Sequence, residues 1–436
     1  MDVQESIYDQ IKSIMPARII GSVVSTEGIA VSVAGFPVPI GALAQIEQPG
    51  REPILAEAVG FRDDVTLLCS YSDLTGIRRG ARVELVQTVP RLRVGDELLG
   101  RIVNAFGQPI DEEPRPILSE RIRYDRRPPD AYARPRIDTV LSTGIRAIDG
   151  FLTVGRGQRI GIFAGSGVGK SVTLGMMTRY TDADVIVIGL IGERGREVND
   201  FIERNLGEEG KRKSVVVVST SNEPALMRVR AAQGAMTIAE YFRDRGKNVL
   251  FLIDSLTRYA QALREIGLAA GEAPAAKGFP PSVFSAIPRL VERAGRAQTG
   301  SITAFLTVLV EGDDKDDPIG DAVRGLLDGH IWLSRKLSNR GHYPAIDPLE
   351  SISRLMPDIC SPEHQEAANR LRRLLGIYAE NEDLISVGAY QEGTNPEIDR
   401  AIRLKPTIDA WLCQRTDEPS TFDEALEGLM ALDSAE

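Results

Sequence analysis

The stretch FAGSGVGKSVTLG, residues Phe163 to Gly175, decides the fold of this chain. It follows an apolar run, carries three glycines before a Lys-Ser pair, and leads into residues that favour a helix. Compared with the phosphate-binding pattern G-x-x-x-x-G-K-S/T, it has Ala164 in place of the first glycine. The remaining glycines leave the backbone free to curl its N–H groups around phosphate. We therefore predict a phosphate-binding loop between a buried strand and a helix.

Two side chains at the end of this loop have chemical roles. Lys170 can reach the outer phosphates of a nucleotide, and Ser171 can bind Mg²⁺ at the helix N-terminus. The alternative is a chance glycine-rich turn, which the flanking strand and helix patterns disfavour. The predicted nucleotide-binding residues of the loop are Ala164, Gly165, Ser166, Gly167, Val168, Gly169, Lys170, Ser171 and Val172.

Two acidic residues follow buried-strand patterns further along the chain. Asp254 lies at the end of VLFLID, where a carboxylate is costly unless it meets a cation such as Mg²⁺. Its alternative role is to cap the following helix. Glu193 follows VIVIGLIG and can orient water for attack on a γ-phosphate. From spacing alone, a surface ion pair with Arg194 or Arg196 explains Glu193 equally well.

The regions around the loop indicate separate domains. Residues 137–360 alternate apolar runs with helical patterns, which predicts a parallel sheet covered on both faces. Residues 18–99 show short Val/Ile-rich runs between turn residues, which predicts a small β-barrel. A Pro- and Arg-rich linker is expected over 100–136, and charged helices over 361–436. The strands predicted in the central region are GIFA, Val185–Gly192, Val215–Thr220, Val249–Ser255, Ile302–Val310 and HIWLS.

The N-terminal segment, 1–17, has a pattern of its own. Ile7, Ile11 and Ile14 repeat at helical spacing, and Pro16 ends the pattern. A short helix with this apolar stripe either packs on its own domain or docks to a partner. We predict that residues 1–17 dock to a partner.

Composition limits the class of protein. The chain has 436 residues, of which 42% are apolar, so it can bury several domain cores. A net charge of −10 disfavours a general nucleic-acid binder, and no nucleic-acid partner is expected. Cys69, Cys360 and Cys413 lie far apart, which is typical of a reducing compartment. Since neither a membrane-spanning run nor a signal-peptide pattern is found, we predict a cytoplasmic protein.

Longer motifs add a family resemblance. They are GERGREV, DSLTRYAQALREIGLAAGE, KGFPPSVF, VEGDDKDDPIGDAVRGLLDGH and GHYPAIDPLESISRLM, within a match that covers nearly the whole chain. Together they resemble the flagellar and type III secretion export ATPases, relatives of the rotary ATP synthase α and β subunits. The resemblance implies an α/β fold: a RecA-like P-loop ATPase core with an N-terminal β-barrel and a C-terminal helical domain. It also implies an enzyme that hydrolyses ATP with Mg²⁺ and couples hydrolysis to protein export.

The resemblance further implies roles for single residues. Glu193 matches the catalytic glutamate, Arg194 a neighbouring phosphate contact, and Asp254 the metal-binding Walker B aspartate. Tyr343 matches an aromatic residue that stacks on adenine, although a turn aromatic packed on the next proline is the alternative. Arg354 matches the arginine finger that reaches the nucleotide of the next subunit. Its alternative is an ion pair within the chain.

One chain carries both Glu193 and Arg354, whereas the α-type subunit of rotary ATP synthases lacks the glutamate and lends its finger to β. The resemblance therefore implies a homohexamer, closed by head-to-tail contacts, in which every interface is competent. The implied partners are a stator-like regulator at the N-terminal segment, a coiled-coil stalk protein at the central channel, export substrates and their chaperones, and an export gate. The ring would act at the cytoplasmic face of the inner membrane. The acidic loop Glu311–Asp321 would face the stalk, or is merely solvated.

This interpretation has three alternatives. An ATP synthase β-like subunit would need a different partner chain, and the strings DSLTRYAQALREIGLAAGE and KGFPPSVF argue against it. A hexameric RNA translocase would share the RecA-like core, but the chain has no basic, aromatic N-terminal domain. A catalytically inactive scaffold is disfavoured because all the catalytic parts are present.

Overall fold

The structure, a computed structural model, describes residues 18–310 and 317–435. The strands are β1 (Ile20–Glu27), β2 (Ala30–Ala34), β3 (Leu43–Ile46), β4 (Ile54–Arg62), β5 (Val65–Ser70), β6 (Arg82–Gln87), β7 (Arg91–Val94), β8 (Ile102–Val103), β9 (Glu120–Arg123), β10 (Val140–Leu141), β11 (Val154–Gly155), β12 (Arg159–Ala164), β13 (Val185–Ile191), β14 (Ser214–Ser219), β15 (Asn248–Asp254), β16 (Gly295–Arg296), β17 (Ser301–Leu309), β18 (Gly329–Leu333) and β19 (Ile352–Ser353). The α-helices are α1 (Arg146–Phe151), α2 (Lys170–Tyr180), α3 (Gly195–Asp200), α4 (Gly207–Arg212), α5 (Ala225–Asp244), α6 (Leu256–Ala269), α7 (Pro281–Val291), α8 (Pro318–Leu326), α9 (Arg335–Asn339), α10 (Met356–Ile359), α11 (Pro362–Ser386), α12 (Pro396–Leu412) and α13 (Phe422–Asp433). A π-helical turn, Phe201–Leu206, joins α3 to α4.

The first six strands close into a barrel in the order β1-β2-β5-β4-β3-β6. Side chains alternate along each strand, so that residues such as Val31, Val33 and Val83 fill the interior. This confirms the predicted β-barrel. Its strands run from Ile20 to Gln87.

Residues 100–136, predicted as a linker, contribute strands to the structure. β8 pairs in parallel with β14 at the edge of the central sheet, and β9 pairs antiparallel with β7. Val103 and Tyr124 are buried in the same apolar cluster as α5 and one face of the sheet. The segment is therefore anchored to the core at a few buried apolar residues, which would otherwise be left in water, while most of its other residues are exposed or half-buried.

The central sheet has the order β19-β18-β12-β17-β15-β13-β14-β8, with β16 paired to β17. The strands from β18 to β14 in this order are mutually parallel, so their carboxyl ends meet at one edge. β13, β14 and β17 are buried along nearly their whole length, which explains their uninterrupted apolar sequences. All six predicted strands are present, and the parallel sheet is confirmed.

The C-terminal helices pack onto the central domain. Leu371, Leu404 and Leu429 share one buried cluster with Ile162 of β12 and with α2. Ser361 caps α11, and Thr421 opens α13 with a capping box. The helical C-terminal domain is thus confirmed. Within 18–310 and 317–435, no helix has the length and apolar content needed to cross a membrane.

Candidate active site

The phosphate-binding loop connects β12 to α2 at the carboxyl edge of the sheet. Ala164 is buried at the end of β12, where its carbonyl accepts a hydrogen bond from Val310 N at 3.1 Å. Gly167 and Gly169 have φ angles of +78° and +95°, a region in which a side chain is strained. Helix α2 begins directly at Lys170, so its unpaired N–H groups adjoin the loop. This backbone has the form that an anion-binding turn needs.

Lys170 lies between two carboxylates. Its Nζ donates a hydrogen bond to Asp254 Oδ1 and lies 3.6 Å from Glu193 Oε1. Burial alone would lower the pKa of Lys170, but these carboxylates outweigh burial and raise the pKa above its ordinary value. The ammonium is therefore kept charged beside the loop. When a phosphate group binds in the loop, the Lys170 ammonium can exchange its hydrogen bond to Asp254 for one to the phosphate.

Asp254 lies at the carboxyl end of β15 and is buried. Its Oδ1 also accepts a hydrogen bond from Thr307 Oγ1 of β17, at 2.8 Å. Within the described residues, no group of three His, Cys, Asp or Glu side chains could hold a metal ion by itself. The hydroxyl of Ser171 and one carboxylate suit Mg²⁺ when phosphate oxygens and water complete the shell. The donor set thus fits Mg²⁺ that arrives with a nucleotide.

Glu193 enters the site from the strand beside Asp254, because β13 pairs with β15. The chain turns at Gly192, whose φ is +72°, and a Cβ there would lie 2.8 Å from Arg258 Cβ. Only glycine permits this close approach of the turn to α6. Burial raises the pKa of Glu193 to about 7, Asp254 acts in the same direction, and Lys170 opposes them. A carboxyl group that titrates near neutral pH suits acid–base work on water.

Arg194 lines the same cavity as the loop, a space of about 880 Å³ that we call the phosphate cavity. Its side chain is 78% exposed, and Nη1 lies 3.2 Å from Glu197 Oε1. The predicted phosphate contact therefore lies at the mouth of the cavity, on a largely solvent-exposed side chain. By contrast, Glu193 lies inside, which disfavours the alternative of a surface ion pair for it.

The phosphate cavity also contains residues that the sequence patterns did not single out. Arg258 lies one helical turn beyond Asp254, and its Nη1 donates a hydrogen bond to Gln261 Oε1 at 2.9 Å. Its Nε is buried and has no hydrogen-bond partner among the described residues. The sequence did contain a signal for Arg258. This arginine lies four residues after the strand-end Asp254, and this spacing places it on the first turn of the next helix, beside the site.

A second cavity, of about 500 Å³, adjoins the other side of the loop, and we call it the base cavity. Tyr343 forms one wall, and its ring lies 3.5 Å from where a Cβ on Gly169 would be. The Tyr343 hydroxyl lies 2.9 Å from Ser338 Oγ, and the ring is 46% exposed. Val172 and Met176 of α2 add apolar surface, and residues 413–418 of the C-terminal domain form the opposite wall. A planar aromatic base suits such a slot.

Arg354 lies at the opposite end of the sheet, near the amino ends of the parallel strands. It follows β19, which pairs antiparallel with β18, and its N–H donates to Asp328 O at 2.9 Å. Asp328 in turn accepts a hydrogen bond from the N–H of Arg159, the first residue of β12. The loop begins six residues later along the same strand, about 20 Å away. Among the described residues, the exposed Arg354 side chain has no ion-pair partner, so the alternative of an intrachain pair finds no support.

Family models match three parts of the chain. The nucleotide-binding domain of the ATP synthase alpha/beta family matches residues 144–353, and its beta-barrel domain matches residues 17–86. The C-terminal domain of the type III secretion ATPase EscN matches residues 360–431.

Curated relatives match over nearly the full length. The flagellum-specific ATP synthase of Bacillus subtilis is 48% identical over 98% of both chains. The type 3 secretion system ATPase of Xanthomonas euvesicatoria is 45% identical over 99% of this chain and 98% of its own. The chain belongs to the flagellar and type III secretion ATPase family. As a member, it is an ATP-hydrolysing enzyme that energises protein export.

Solved structures agree with this export ATPase assignment. The assembled ATPase EscN of enteropathogenic E. coli is 45% identical, with a TM-score of 0.90 over 95% of this chain and 100% of its own. EscN in complex with its central stalk EscO gives a TM-score of 0.88 at 44% identity over 95% of this chain and 100% of its own. The three-part architecture of the export ATPase is therefore that of its family.

Proposed function

We propose that this export ATPase hydrolyses ATP at sites shared between neighbouring copies in a closed homohexamer. The observation that carries the proposal is the placement of Glu193 and Arg354 beyond opposite edges of one sheet. In a head-to-tail ring, the Arg354 edge of one copy meets the phosphate cavity of the next. Since each chain has both residues, every interface of the ring is a competent site.

The chemistry follows from the residues inside the phosphate cavity. Water held by Glu193 attacks the γ-phosphorus, the bond to the β–γ bridging oxygen breaks, and ADP leaves with that electron pair. The proton of the water passes to Glu193, which titrates near neutral pH, and then to solvent or product. Lys170 and the neighbour's finger balance the charge on the phosphoryl group, with Arg194 at the cavity mouth. Mg²⁺, held by Ser171, Asp254 and phosphate oxygens, would supply further charge stabilisation.

Partners are proposed from the relatives and from charge. EscN binds a central stalk named EscO, and we infer a coiled-coil stalk protein with a basic end for this chain. The acidic loop Glu311–Asp321 is its proposed contact, although residues 311–316 lie outside the described part. The N-terminal segment, 1–17, also lies outside it and is proposed to dock a stator-like regulator. Export substrates, their chaperones and an export gate at the inner membrane complete the proposed assembly, which works at the cytoplasmic face.

The shared site is tested by diluting the protein. If a ring is required, ATPase activity per chain should rise with protein concentration and level off as hexamers form, followed by mass photometry on the same samples. An Arg354→Ala protein should assemble over the same concentration range but stay nearly inactive throughout. Constant activity per chain down to monomer concentrations would overturn the proposal.

A further inference from the structure

The wall of the base cavity opposite Tyr343 is a segment without helix or strand. Residues 413–418, which we call the base strap, connect the end of α12 to the approach of α13. Among the described residues, a single backbone–backbone hydrogen bond, from the Gln414 N–H to Tyr343 O, joins the strap to the central domain, so its position depends mainly on side chains. Those side chains come from the central domain, and the largest share comes from one residue.

We infer that Arg146 positions the base strap and thereby sets the affinity and selectivity of the enzyme for the nucleotide base. Arg146 opens α1 and lies outside both cavities. Its Nε donates to Trp411 O at 3.0 Å, and its Nη2 donates to Cys413 O at 2.7 Å. Its Nη1 forms a close ion pair with the carboxylate of Glu418. One guanidinium therefore binds the strap at both of its ends.

The backbone of Arg146 adds a second connection through Gln414. The Arg146 N–H donates to Gln414 Oε1 at 2.9 Å, while Gln414 Nε2 donates to Gly144 O and Glu418 O, both at 2.8 Å. The N–H of Gln414 donates to Tyr343 O at 2.9 Å. Gln414 thus joins the strap directly to Tyr343 and also to α1 and the turn before it.

A second anchor fixes the middle of the strap. Arg179 Nη2 and the Tyr180 hydroxyl both donate to Thr416 O at 2.8 Å. This anchor lies at the end of α2, the helix that begins at the phosphate-binding loop. Arg146 differs from it in its partner, because Glu418, which is 41% exposed, is a carboxylate whose pKa the pairing lowers. A hydrogen bond between two charged groups is stronger than one from a charged or neutral donor to a neutral carbonyl.

The inference rests on the proposed function, because it takes the cavity beside Tyr343 as the place of the base. It adds that base recognition depends on a residue that touches no part of the nucleotide. Loss of Arg146 should let the strap move away from Tyr343 while the phosphate-binding loop keeps its form. The base would then be held less tightly, and the phosphates equally well.

The test compares substrates with and without a base. For Arg146→Ala, assayed where wild-type activity has levelled off with concentration, we expect the KM for ATP to rise about tenfold and kcat to change less than about threefold. The preference for ATP over GTP and CTP should fall by a similar factor. Inhibition by inorganic tripolyphosphate, which has no base, should be unchanged. Arg146→Lys should recover part of the preference, because it retains the charge.

Arg372→Ala is the matched control. Arg372 Nη2 also joins the C-terminal domain to α1, through Phe151 O at 2.8 Å, but it does not touch the strap. Glu418→Gln tests the same ion pair from the strap side and should raise the KM for ATP by a smaller factor. An Arg146→Ala protein that matches the control, or that loses tripolyphosphate inhibition in proportion to ATP, would overturn the inference. Tyr343→Ala tests the base-site assignment separately from the inference about Arg146. An unchanged KM for ATP in Tyr343→Ala would overturn the base-site assignment itself.

Discussion

Glu193 and Arg354 lie beyond opposite ends of the strands of one parallel sheet. Glu193 follows the carboxyl end of β13, whereas Arg354 donates its N–H to Asp328 O, just before β18 begins. The six residues of β12, about 20 Å of strand, separate these ends. One copy therefore does not bring its own Arg354 to its own phosphate-binding loop. In the proposed ring, each carboxylate works with the arginine of a neighbour.

Mixing two inactive variants should restore activity. Arginine fingers contribute ~10³–10⁵ in rate, or about 4–7 kcal/mol, so Glu193→Gln and Arg354→Ala should each be nearly inactive alone. In a mixed ring, an Arg354→Ala copy still offers an intact Glu193, and a Glu193→Gln neighbour supplies a good finger. Random mixing at equal proportions makes about one quarter of the interfaces wild type. Steady-state ATPase activity across mixing ratios should peak near equal proportions.

The matched control for mixing is the double variant with both substitutions in one chain. Adding it to either single variant creates no wild-type interface, so activity should stay at the background. Substantial turnover by the pure Arg354→Ala protein would contradict the composite site.

Lys170→Ala should abolish ATP hydrolysis, because the outer phosphates lose the ammonium held beside the loop. The substitution also leaves Asp254 buried without its cation, which destabilises proteins by about 3–5 kcal/mol when a buried pair loses one partner. Both effects are measurable, by phosphate release and by denaturant unfolding. Lys336→Ala is the control, since its pair with Glu382 is at the surface and worth about 0–1 kcal/mol. Near-normal turnover of Lys170→Ala would remove the phosphate-loop assignment.

The activity should fall as the pH decreases through neutrality. The pKa of Glu193 is about 7 in the free enzyme, and its ionised form is the one that accepts a proton from water. Below that pH the carboxyl group is increasingly protonated, so kcat/KM for ATP should decline toward a tenfold loss per pH unit. Above it, the carboxylate is ionised and this dependence disappears.

Glu197→Gln distinguishes Glu193 from the substrate, which also titrates near neutral pH. Glu197 hydrogen-bonds to Glu193 and raises its pKa. Its neutral replacement should shift the acid limb of the kcat/KM profile to lower pH, whereas titration of ATP does not respond to a change in the protein. An acid limb that stays in place in Glu197→Gln would assign it to the substrate.

The acidic loop should matter for the stalk and not for the nucleotide. Asp317 is excluded from this test because it caps α8, where its Oδ1 accepts a hydrogen bond from Gly320 N at 2.7 Å. Replacing Asp313, Asp314 and Asp316 by asparagine should leave basal ATPase activity unchanged and reduce its stimulation by a basic coiled-coil stalk protein. The reduction should shrink at high salt, as expected for exposed charges. Equal stimulation of the wild-type and substituted proteins would show that the loop is solvated and does not contact the stalk.

Local patterns alone predicted much of the fold and the centre of the site. Gly167, Gly169 and Lys170 were predicted for the loop because a tight turn and a phosphate cation need those residue types at that spacing. Asp254 was predicted from the cost of a carboxylate at the end of a buried strand, and it lies there against Lys170. The roles proposed for Tyr343 and Arg354 came from the family resemblance, since neither has a local pattern of its own.

The tertiary structure decided which distant residues meet. Packing placed β8 in the central sheet, because Val103 is buried in the same cluster as α5, and it brought Arg258 into the phosphate cavity. Arg146 binds Cys413 O across 267 residues of sequence, and no periodicity or motif links two such positions. Sequence patterns record what each segment needs from its immediate backbone and from water. The contacts that join the C-terminal domain to the base cavity depend on how the domains pack, and only the folded chain contains them.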